Sequence, residues 1–569
     1  MAPSTQNYME DSTPAKSQPP AKKQSMFVIA CILLTELCER MTFYSISANL
    51  VLFCTNKLAF TSPDATTVQY VFTGSCYLIP VIGGWIADTI SGKFNAIYGS
   101  GLLYVVGTFL LVCAAIDYRD WLGRDDEGKY YNLNLDARTG YYMTGLFFVA
   151  VGTGGIKANV GPYGALQAEE IGPQAVQTFF QWFYFFINVG SFIAYSAVAY
   201  VQQNIDFAYG FLIPMISMIL SIVILMAGRS KYKDIPPGGS VLSTAGKVIV
   251  ESCKRKGETN AESFLDNAKK SYGGSFADGT VEGIKALGRV LPVFVTIVMY
   301  WAIYSQMSST FFLQSVRMDV RIGSLVTPAA ALNLFNIAII LILIPFMDRL
   351  VYPCLAKWGK HPTLLQRMGF GMILTALSVV YAGVLEIFRK QNLSTTGGFI
   401  QDIGDSSYNS STLSMFLQVP QFALIGASEV FTSATGLEFA YSQAPQIMQG
   451  LIMGLFLLTS GLGNYVSMAI VQIVQAATVS KPWFPDEINN GYTEYLYFLL
   501  GGLMLLNFLA FLVIAKSYKY RDVEEIAETG ETLKHSPEVE PGKPPTYDNQ
   551  AFYHCQDGFV NDKSESTRF

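Results

Sequence analysis

Long apolar runs recur along this chain from residue 26 to residue 517, and polar stretches separate them. An apolar run of about 20 residues can cross a bilayer as an α-helix. The pattern predicts twelve such helices, numbered here as spans one to twelve. They are expected near 26–55, 67–90, 94–116, 140–163, 176–203, 207–228, 290–314, 329–351, 364–388, 412–436, 446–476 and 492–517. The sequence therefore predicts an all-α, polytopic membrane protein.

One polar segment is much longer than the other connections, and it divides the spans into two groups of six. A helical bundle, a linker and a second helical bundle form a common plan for secondary carriers. We therefore expect six-helix bundles at 26–228 and 290–517, with a linker at 229–289.

The linker predicts the orientation of the chain. It carries eleven Lys and Arg residues against seven Asp and Glu residues, and positively charged segments favour the cytosolic side of a membrane. With an even number of spans, both termini are then cytosolic. Apolar residues recur at every third position near the end of the linker: Val281, Ile284, Leu287 and Val290. This spacing predicts an amphipathic helix that either lies on the cytosolic face or leads directly into span seven.

The two ends of the chain are polar. Residues 1–25 are rich in proline and show no apolar core of a cleavable signal peptide, and residues 518–569 are acidic. Both are predicted to be disordered cytosolic tails. The second tail contains Pro544, Pro545 and Tyr547 in a PPxY pattern. Such a pattern can dock as a polyproline II turn in a WW domain, so a WW-domain protein is a predicted partner.

Composition supports a membrane protein and excludes several other classes. The chain is 51% hydrophobic and 14% charged, whereas a soluble globular chain carries about 25% charged residues. No basic stripe or recognition motif indicates nucleic acid. The eight cysteines show no metal-ligand spacing, and a disulfide framework is not expected. We expect no metal and no cofactor, membrane lipid as the surroundings, and transport rather than enzymatic activity.

Span one carries charge where a membrane helix should be apolar. Glu36, Glu39, Arg40 and Tyr44 are spaced so that they share one helix face. A charge at the centre of a membrane helix costs roughly 2.5–3.5 kcal/mol on insertion scales, so this face is expected to look at protein or at a water-filled cavity. The cluster is therefore a functional-site hypothesis. The alternative is an internal ion pair that only locks helix packing.

Proton coupling is predicted from the other ionisable groups. All three histidines, His361, His535 and His554, fall in predicted cytosolic segments. The charged candidates within the spans are Glu36, Glu39, Glu429, Glu438, Arg40 and Lys157. Since the acids outnumber the bases, some carboxylates have no cation and are expected to take up protons. A carboxylate that exchanges between Arg40, Lys157 and a proton can couple proton movement to a second ligand.

The same residues indicate the kind of substrate. The guanidinium of Arg40 fits a carboxylate through two parallel hydrogen bonds, and Glu429 in the other bundle could meet an amino group. This pair suits a small zwitterion, an amino acid or a short peptide. Candidate wall residues are Tyr44, Tyr77, Asn188, Trp301 and Tyr304. Ordinary helix packing is the alternative role for each of them.

Several motifs resemble one known family. They are ELCERMTFY in span one, GTGGIKANVGPYG in span four, FFQWFYFFINVGS in span five and VFTSATGLEFAYSQAP in span ten. The loop after span two, from Gly84 to Lys93, matches the GxxxD-x-x-G-[RK] loop of major facilitator carriers. The chain resembles the proton-coupled oligopeptide transporter family of the major facilitator superfamily, and within it the peptide/histidine transporter branch.

The resemblance implies residue roles. Glu36, Glu39 and Arg40 match the ExxER motif, which serves proton coupling and contact with the substrate carboxylate. Tyr44, Tyr77, Lys157, Asn188 and Glu429 match positions of the family's binding site. Asp88 matches the acid of the loop motif and implies a gating role.

The chain departs from the family pattern at four places. The paired tyrosines of span one read Phe43–Tyr44, and a histidine found in intestinal-type relatives aligns with Tyr70. An acid that follows the tryptophan of span seven aligns with Ser305. A Gly-Gly-Asp-Gln run reads Gly-Ala-Leu-Gln at 164–167. These departures remove a proton site and a gating salt bridge and leave ExxER as the chief coupling device.

We therefore expect a proton-coupled symporter of di- and tripeptides, with histidine as a possible substrate, working by alternating access. The alternatives are a carrier of another small anion such as nitrate, and a signalling scaffold or sensor with secondary transport. The family branch implies an endosomal or lysosomal membrane in preference to the plasma membrane. Two sequons, at Asn392 and Asn409, lie between spans nine and ten on the non-cytosolic side, and both are predicted glycosylation sites.

Overall fold

The structure is a computed structural model that describes residues 21–118, 133–169, 171–256, 263–359, 362–443 and 449–518. The PPxY pattern of Pro544, Pro545 and Tyr547 lies outside the described residues. The first helix begins at Ala21, inside the segment predicted to be a disordered tail.

The N-terminal bundle contains spans one to six. Its helices are α1 Ala21–Ala48, α2 Leu50–Lys57, α3 Ser62–Ile86, α4 Lys93–Ala115, α5 Leu135–Glu169, α6 Pro173–Ile193, α7 Ala199–Asn204 and α8 Phe207–Ala227. π-helical turns at Ala87–Ser91 and Ala194–Val198 extend α3 and join α6 to α7. Prolines lie inside α3, α5 and α8, where each removes a backbone hydrogen bond and favours a bend.

The C-terminal bundle contains spans seven to twelve. Its helices are α10 Asp278–Tyr304, α11 Thr310–Ser315, α12 Asn333–Phe346, α13 Tyr352–Lys357, α14 Leu364–Thr396, α15 Val419–Ser428, α16 Thr435–Gln443, α17 Gln449–Ala477 and α18 Thr493–Ser517. π-helical turns at Met347–Val351 and Glu429–Ala434 join α12 to α13 and α15 to α16. Span ten is thus α15, a π-helical turn and α16.

The twelve-span prediction is confirmed. Among the described residues, ten helices are long and apolar enough to cross a membrane. The remaining two spans are the first and the tenth. Both carry carboxylates within the helix: Glu36 and Glu39 in span one, Glu429 and Glu438 in span ten. Carboxylates inside these two spans make them less apolar than the criterion that the other ten helices meet.

The end of the linker follows the second of the two predicted alternatives. Val281, Ile284, Leu287 and Val290 are buried and belong to α10, so this stretch leads directly into span seven. The amphipathic helix of the linker is instead α9, Val241–Lys254. The every-third-residue pattern was read correctly as one helix face, but that face packs on the protein because the helix continues into the bundle.

Charged side chains attach the linker to the start of span seven. Asp266 Oδ1 lies 2.5 Å from Lys285 Nζ and 2.7 Å from Lys269 Nζ, and Lys269 also pairs with Glu282. The linker is therefore folded against the C-terminal bundle.

Two short β-hairpins lie in loops of the C-terminal bundle. Strands β1 Arg321–Ile322 and β2 Leu325–Val326 precede span eight. Strands β3 Phe399–Ile403 and β4 Ser406–Ser410 lie between spans nine and ten and pair antiparallel, with Ile403 opposite Ser406. The two-residue turn between them begins at Gly404, whose φ of 63° suits glycine.

Spans three and four pack closely through glycine. A Cβ on Gly107 would lie 2.7 Å from Val149 N and 2.8 Å from Gly145 O, both backbone atoms. Small residues that allow such backbone approach are typical of membrane helix interfaces.

We predict that Gly107→Ala destabilises the N-terminal bundle, because the added methyl meets backbone that cannot move away alone. Overpacking of this kind costs about 1–3 kcal/mol. Gly99→Ala in the same helix is the matched control, since its Cβ would meet nothing within 4 Å. Thermal unfolding of the purified variants checks this, and an equal loss in both would show that the contact with span four is not the cause.

Candidate functional site

The charged cluster of span one lies inside the protein. Glu36, Glu39 and Arg40 are 3%, 0% and 5% exposed. Arg40 Nε lies 3.1 Å from Glu36 Oε1, and the same guanidinium pairs with Glu39. One cation thus holds two carboxylates. Within the described part of the chain, Glu36 Oε2 and Glu39 Oε1 have no hydrogen-bond partner, so each acid keeps one oxygen that can accept a proton.

Lys157 approaches this cluster from span four without joining its ion pairs. Its Nζ is buried and, among the residues described, has no hydrogen-bond partner. The nitrogen lies over two aromatic rings instead, 3.5 Å from the ring centroid of Tyr77 and 4.7 Å from that of Phe43. Lys157 is nevertheless close enough to Glu36 and Glu39 to interact with both electrostatically. The structure therefore brings together all four residues predicted to couple protons.

Glu429 supplies the opposite charge from the second bundle. It begins the π-helical turn of span ten, and the side chains of Tyr304 and Asn336 lie beside its carboxyl group. Its Oε2 has no hydrogen-bond partner in the described chain. Asn336 was missed by sequence reasoning, because an asparagine in a membrane helix carries no motif that would single it out.

Aromatic side chains lie near both Arg40 and Glu429. Tyr44 interacts electrostatically with both of these residues, and its ring lies 5.5 Å from that of Tyr195. On span seven, the rings of Trp301 and Tyr304 meet edge to face at 5.1 Å. The predicted wall residues Tyr44, Tyr77, Trp301 and Tyr304 therefore surround one region between the bundles.

Two of the predicted residues contact groups other than the charged residues of the site. The amide of Asn188 donates to the Tyr184 carbonyl at 2.8 Å, on its own helix. Glu438 interacts electrostatically with Tyr352 of span eight, whereas Glu429 lies beside Tyr304 and Asn336. The geometry thus favours Glu429 over Glu438 as the acid that faces Arg40.

Tyr70, which stands where some relatives have histidine, joins the two bundles. Its hydroxyl lies 3.0 Å from Gln306 Oε1 and 2.8 Å from Ser309 Oγ. Ser305, which replaces an acid of some relatives, lies 3.0 Å from Ser467 Oγ within the C-terminal bundle. Tyr70 and Ser305 therefore both make neutral hydrogen bonds.

The hairpin β3–β4 closes one end of the space between the bundles, called here the hairpin side. Asn56 at the end of span one donates to the Ile403 carbonyl at 2.9 Å and accepts from the Tyr408 hydroxyl at 2.7 Å. Lys57 Nζ lies 2.7 Å from Asp405 Oδ2. The Gly404 amide donates to the Gln203 carbonyl at 3.0 Å.

The loop between spans eleven and twelve adds a second closure on the hairpin side. Asp486 accepts from the Ser62 amide at 2.8 Å and so caps the first turn of span two. Neighbouring residues fix this loop, since Glu487 pairs with Arg317 at 3.0 Å and Asn489 accepts from Arg389 at 2.6 Å. The hairpin side is therefore held shut by many polar contacts.

Asp88 lies at the opposite end, called here the linker side. It is in the π-helical turn after span two, and its backbone carbonyl accepts from the Gly239 amide of the linker at 3.1 Å. Its side chain interacts with Lys93 of the same motif. The structure thus ties this turn to the linker, and the gating role of Asp88 stays a prediction.

The predicted glycosylation residues both lie on the hairpin side. Asn392 is in the last turns of α14, where its Oδ1 accepts from the Thr412 amide and hydroxyl, both at 3.0 Å. Asn409 is exposed on β4. Asn409 is the more accessible acceptor in the folded protein.

Two six-helix bundles around a buried, charged region define a membrane carrier of the major facilitator type. Residues 94–490 match the model of the POT family, PTR2. Two relatives are each 33% identical to this chain. Protein NRT1/PTR FAMILY 8.1 of Arabidopsis thaliana aligns over 90% of this chain and 98% of its own length. Solute carrier family 15 member 3 of Rattus norvegicus aligns over 86% of this chain and 91% of its own length.

Solved structures agree with the sequence comparison. An auto-inhibited POT family peptide transporter superposes with a TM-score of 0.69 and 25% identity, over 87% of this chain and 98% of that one. The POT family transporter PepTSo superposes with a TM-score of 0.67 and 28% identity, over 87% of this chain and 99% of that one. The chain belongs to the POT family of membrane transporters, and the family recognised from its motifs is confirmed.

We predict that breaking the Lys57–Asp405 pair opens the hairpin side, because the pair joins the two bundles and is partly exposed. Lys57→Glu places two like charges together, and the added Asp405→Lys should restore attraction. Distances between spin labels at Ile205→Cys and Ile400→Cys, in a background with native cysteines replaced by serine, report the opening. A Lys57→Glu distribution identical to that of the parent would contradict a closing role for the pair.

Proposed function

We propose that this protein is a proton-coupled symporter of di- and tripeptides, with histidine as a further substrate. The observation that carries the proposal is the span-one cluster, in which Glu36 and Glu39 share Arg40 and each retains an unbonded oxygen. Relatives named as peptide transporters have the same fold. Solved structures of this family are named as transporters, which supports transport as the activity.

The substrate fits between the bundles by charge. Its carboxylate competes with Glu36 and Glu39 for the guanidinium of Arg40, and its amino group meets Glu429 beside Tyr304 and Asn336. When the substrate takes Arg40, a released glutamate carries an unpaired charge in a low-dielectric site and takes up a proton. Substrate and proton therefore load together, and the coupling ion is the proton with no other cofactor.

Alternating access follows from the polar closure of the hairpin side. Asn56, Lys57 and Ser62 of the N-terminal bundle bond to loops of the C-terminal bundle. We propose that these contacts break when the loaded site opens to the hairpin side and that Asp88 acts in closing the linker side. The present state then exposes the site to the linker side.

A nitrate carrier is the second candidate, because similar proteins carry the name NRT1/PTR. Glu429 disfavours it, since a carboxylate beside the site repels a small anion that lacks an amino group. A sensor role would depend on a WW-domain partner that binds the C-terminal tail, and the PPxY pattern of that tail lies outside the described residues.

The protein is an integral multi-pass membrane protein. We propose that both termini and the linker are cytosolic and that the membrane is endosomal or lysosomal, where an acidic lumen would drive import into the cytosol. The excess of positive charge in residues 229–289 supports this orientation.

We predict that Glu39→Gln uncouples transport. A neutral amide cannot take a proton, but it leaves Arg40 free to hold the substrate. In proteoliposomes the variant should lose peptide accumulation driven by external acid and retain peptide exchange at equal pH on both sides. Accumulation against a gradient with the pH dependence of the parent would overturn the coupling role of ExxER.

We predict that Arg40→Lys binds dipeptides poorly in a competition binding assay, since an ammonium loses the two parallel hydrogen bonds.

Glu429→Gln should weaken the binding of a dipeptide with a free amino group about ten- to a hundredfold, because a hydrogen bond to a charged group contributes about 1.5–3 kcal/mol. The same variant should lose far less affinity for an N-acetylated dipeptide. Competition binding measures both ligands, with Glu438→Gln as the control in the same span. An equal loss for the two ligands would show that Glu429 is not the amino contact.

We predict that glycosidase treatment increases the gel mobility of the protein expressed in mammalian cells and that Asn409→Gln removes most of this change. Asn392→Gln should have the smaller effect, because its amide side chain already binds Thr412. A sequon engineered in the linker is the control and should stay unmodified. Modification of the linker sequon instead would reverse the proposed orientation.

A further inference from the structure

The ammonium group of Lys157 rests on aromatic rings in a region that also contains carboxylates. Its Nζ lies 3.5 Å from the centroid of the Tyr77 ring and 4.7 Å from that of Phe43. The two rings are 6.5 Å apart and nearly perpendicular, at 87°, so they form two walls of a corner. A cation within about 6 Å of a ring face is attracted by the ring's electron density, and exclusion of water strengthens this attraction.

Phe43 lies between the two cations of the site. The Arg40 Cζ is 5.5 Å from its ring centroid, and the Lys157 Nζ is closer. Phenylalanine has no hydroxyl group, so Phe43 can hold a cation only by the face of its ring. Phe72 stacks on Phe43 at 6.2 Å and supports its position.

Other groups compete with the rings for Lys157. The charged or titratable groups that face it are Glu36, Glu39 and Arg40 from span one, and Cys76 and Tyr77 from span two. Arg40 repels the ammonium, and only the two glutamates can offer it a full negative charge. In this structure Lys157 lies on the rings, and the two glutamates are its competing partners.

We propose that Phe43 and Tyr77 form a holding site for the Lys157 ammonium and that Phe43 is thereby a positioning residue for proton coupling. While Lys157 occupies the rings, Glu36 and Glu39 share one cation and keep oxygens that can bind a proton. When Lys157 moves to a glutamate, that carboxylate becomes paired, its O–H bond breaks and the proton passes to water. The rings thus set how readily the acids are protonated. This proposal rests on the proposed function.

Stepwise fluorination of Phe43 tests the holding site. Fluorine withdraws electron density from the ring face and changes its size little. Phenylalanine with one, two or three ring fluorines is introduced at position 43 by nonsense suppression, and dipeptide uptake into proteoliposomes is measured against external pH. We expect half-maximal uptake to move stepwise to more acidic pH, by about one pH unit for the trifluorinated ring.

Fluorination at Phe72 is the matched control, because this buried ring packs on Phe43 and has the same chemistry. Its series should leave the pH of half-maximal uptake unchanged. A second readout does not depend on transport: the Tm of the purified protein. Fluorination of Phe43 should lower the Tm more when Lys157 is present than in a Lys157→Gln background, where only the Arg40 contact at 5.5 Å remains.

The outcomes separate this proposal from the proposed function. If the parent accumulates dipeptide and the Phe43 series shows the same pH dependence as the Phe72 series, the holding site has no role in coupling and the proposal is overturned. If the parent accumulates no dipeptide with acid outside, the proposed function is wrong, and so is the coupling role of Phe43. The Tm comparison then decides whether the rings hold Lys157. If fluorination of Phe43 lowers the Tm equally with and without Lys157, the rings do not hold the ammonium group.

Discussion

The fold is organised around one buried guanidinium. Arg40 holds Glu36 and Glu39 in the interior of the N-terminal bundle, where none of the three is more than 5% exposed. Without the cation, two carboxylates would remain uncompensated at low dielectric, and breaking a buried pair in this way typically costs about 3–5 kcal/mol. Span one must therefore face the protein interior, and the surrounding helices are arranged to cover it. The same constraint makes the site sensitive to ligands and protons. A change in the charge of one of these three residues alters the electrostatic energy of the other two.

The contacts within and between the bundles differ in kind. Within the N-terminal bundle, Gly107 allows the backbones of spans three and four to meet directly. Between the bundles, the hairpin side is joined by an ion pair and by hydrogen bonds, such as those of Asn56 and Ser62. Such groups can exchange a protein partner for water at small net cost. Rigid bundles joined by replaceable polar contacts suit a carrier that alternates between two states.

Neutral hydrogen bonds take the place of charge at the interface between spans two and seven. Tyr70 contacts Gln306 and Ser309 through its hydroxyl group. Tyr70 is neutral in these contacts, and the buried charges near the proposed substrate site belong to spans one, four and ten. This concentration gives the position of Lys157 its importance, because it is the second cation beside the Glu36–Glu39 pair.

The sequence by itself determined the twelve spans and the family, and it predicted most of the residues that the structure brings together between the bundles. Apolar length, helical spacing and the ExxER motif are local properties, and burial of charge in a membrane helix has few explanations other than function. It did not determine the linker, because Val281 to Val290 form the same pattern whether the helix lies on a surface or continues into span seven. Asn336 beside Glu429, the hairpin bonded to Asn56 and Lys57, and Lys157 on the rings of Phe43 and Tyr77 are contacts between distant segments. Only the tertiary structure decided them, because a side chain's partner in a bundle depends on the rotation and depth of each helix, which no local pattern specifies.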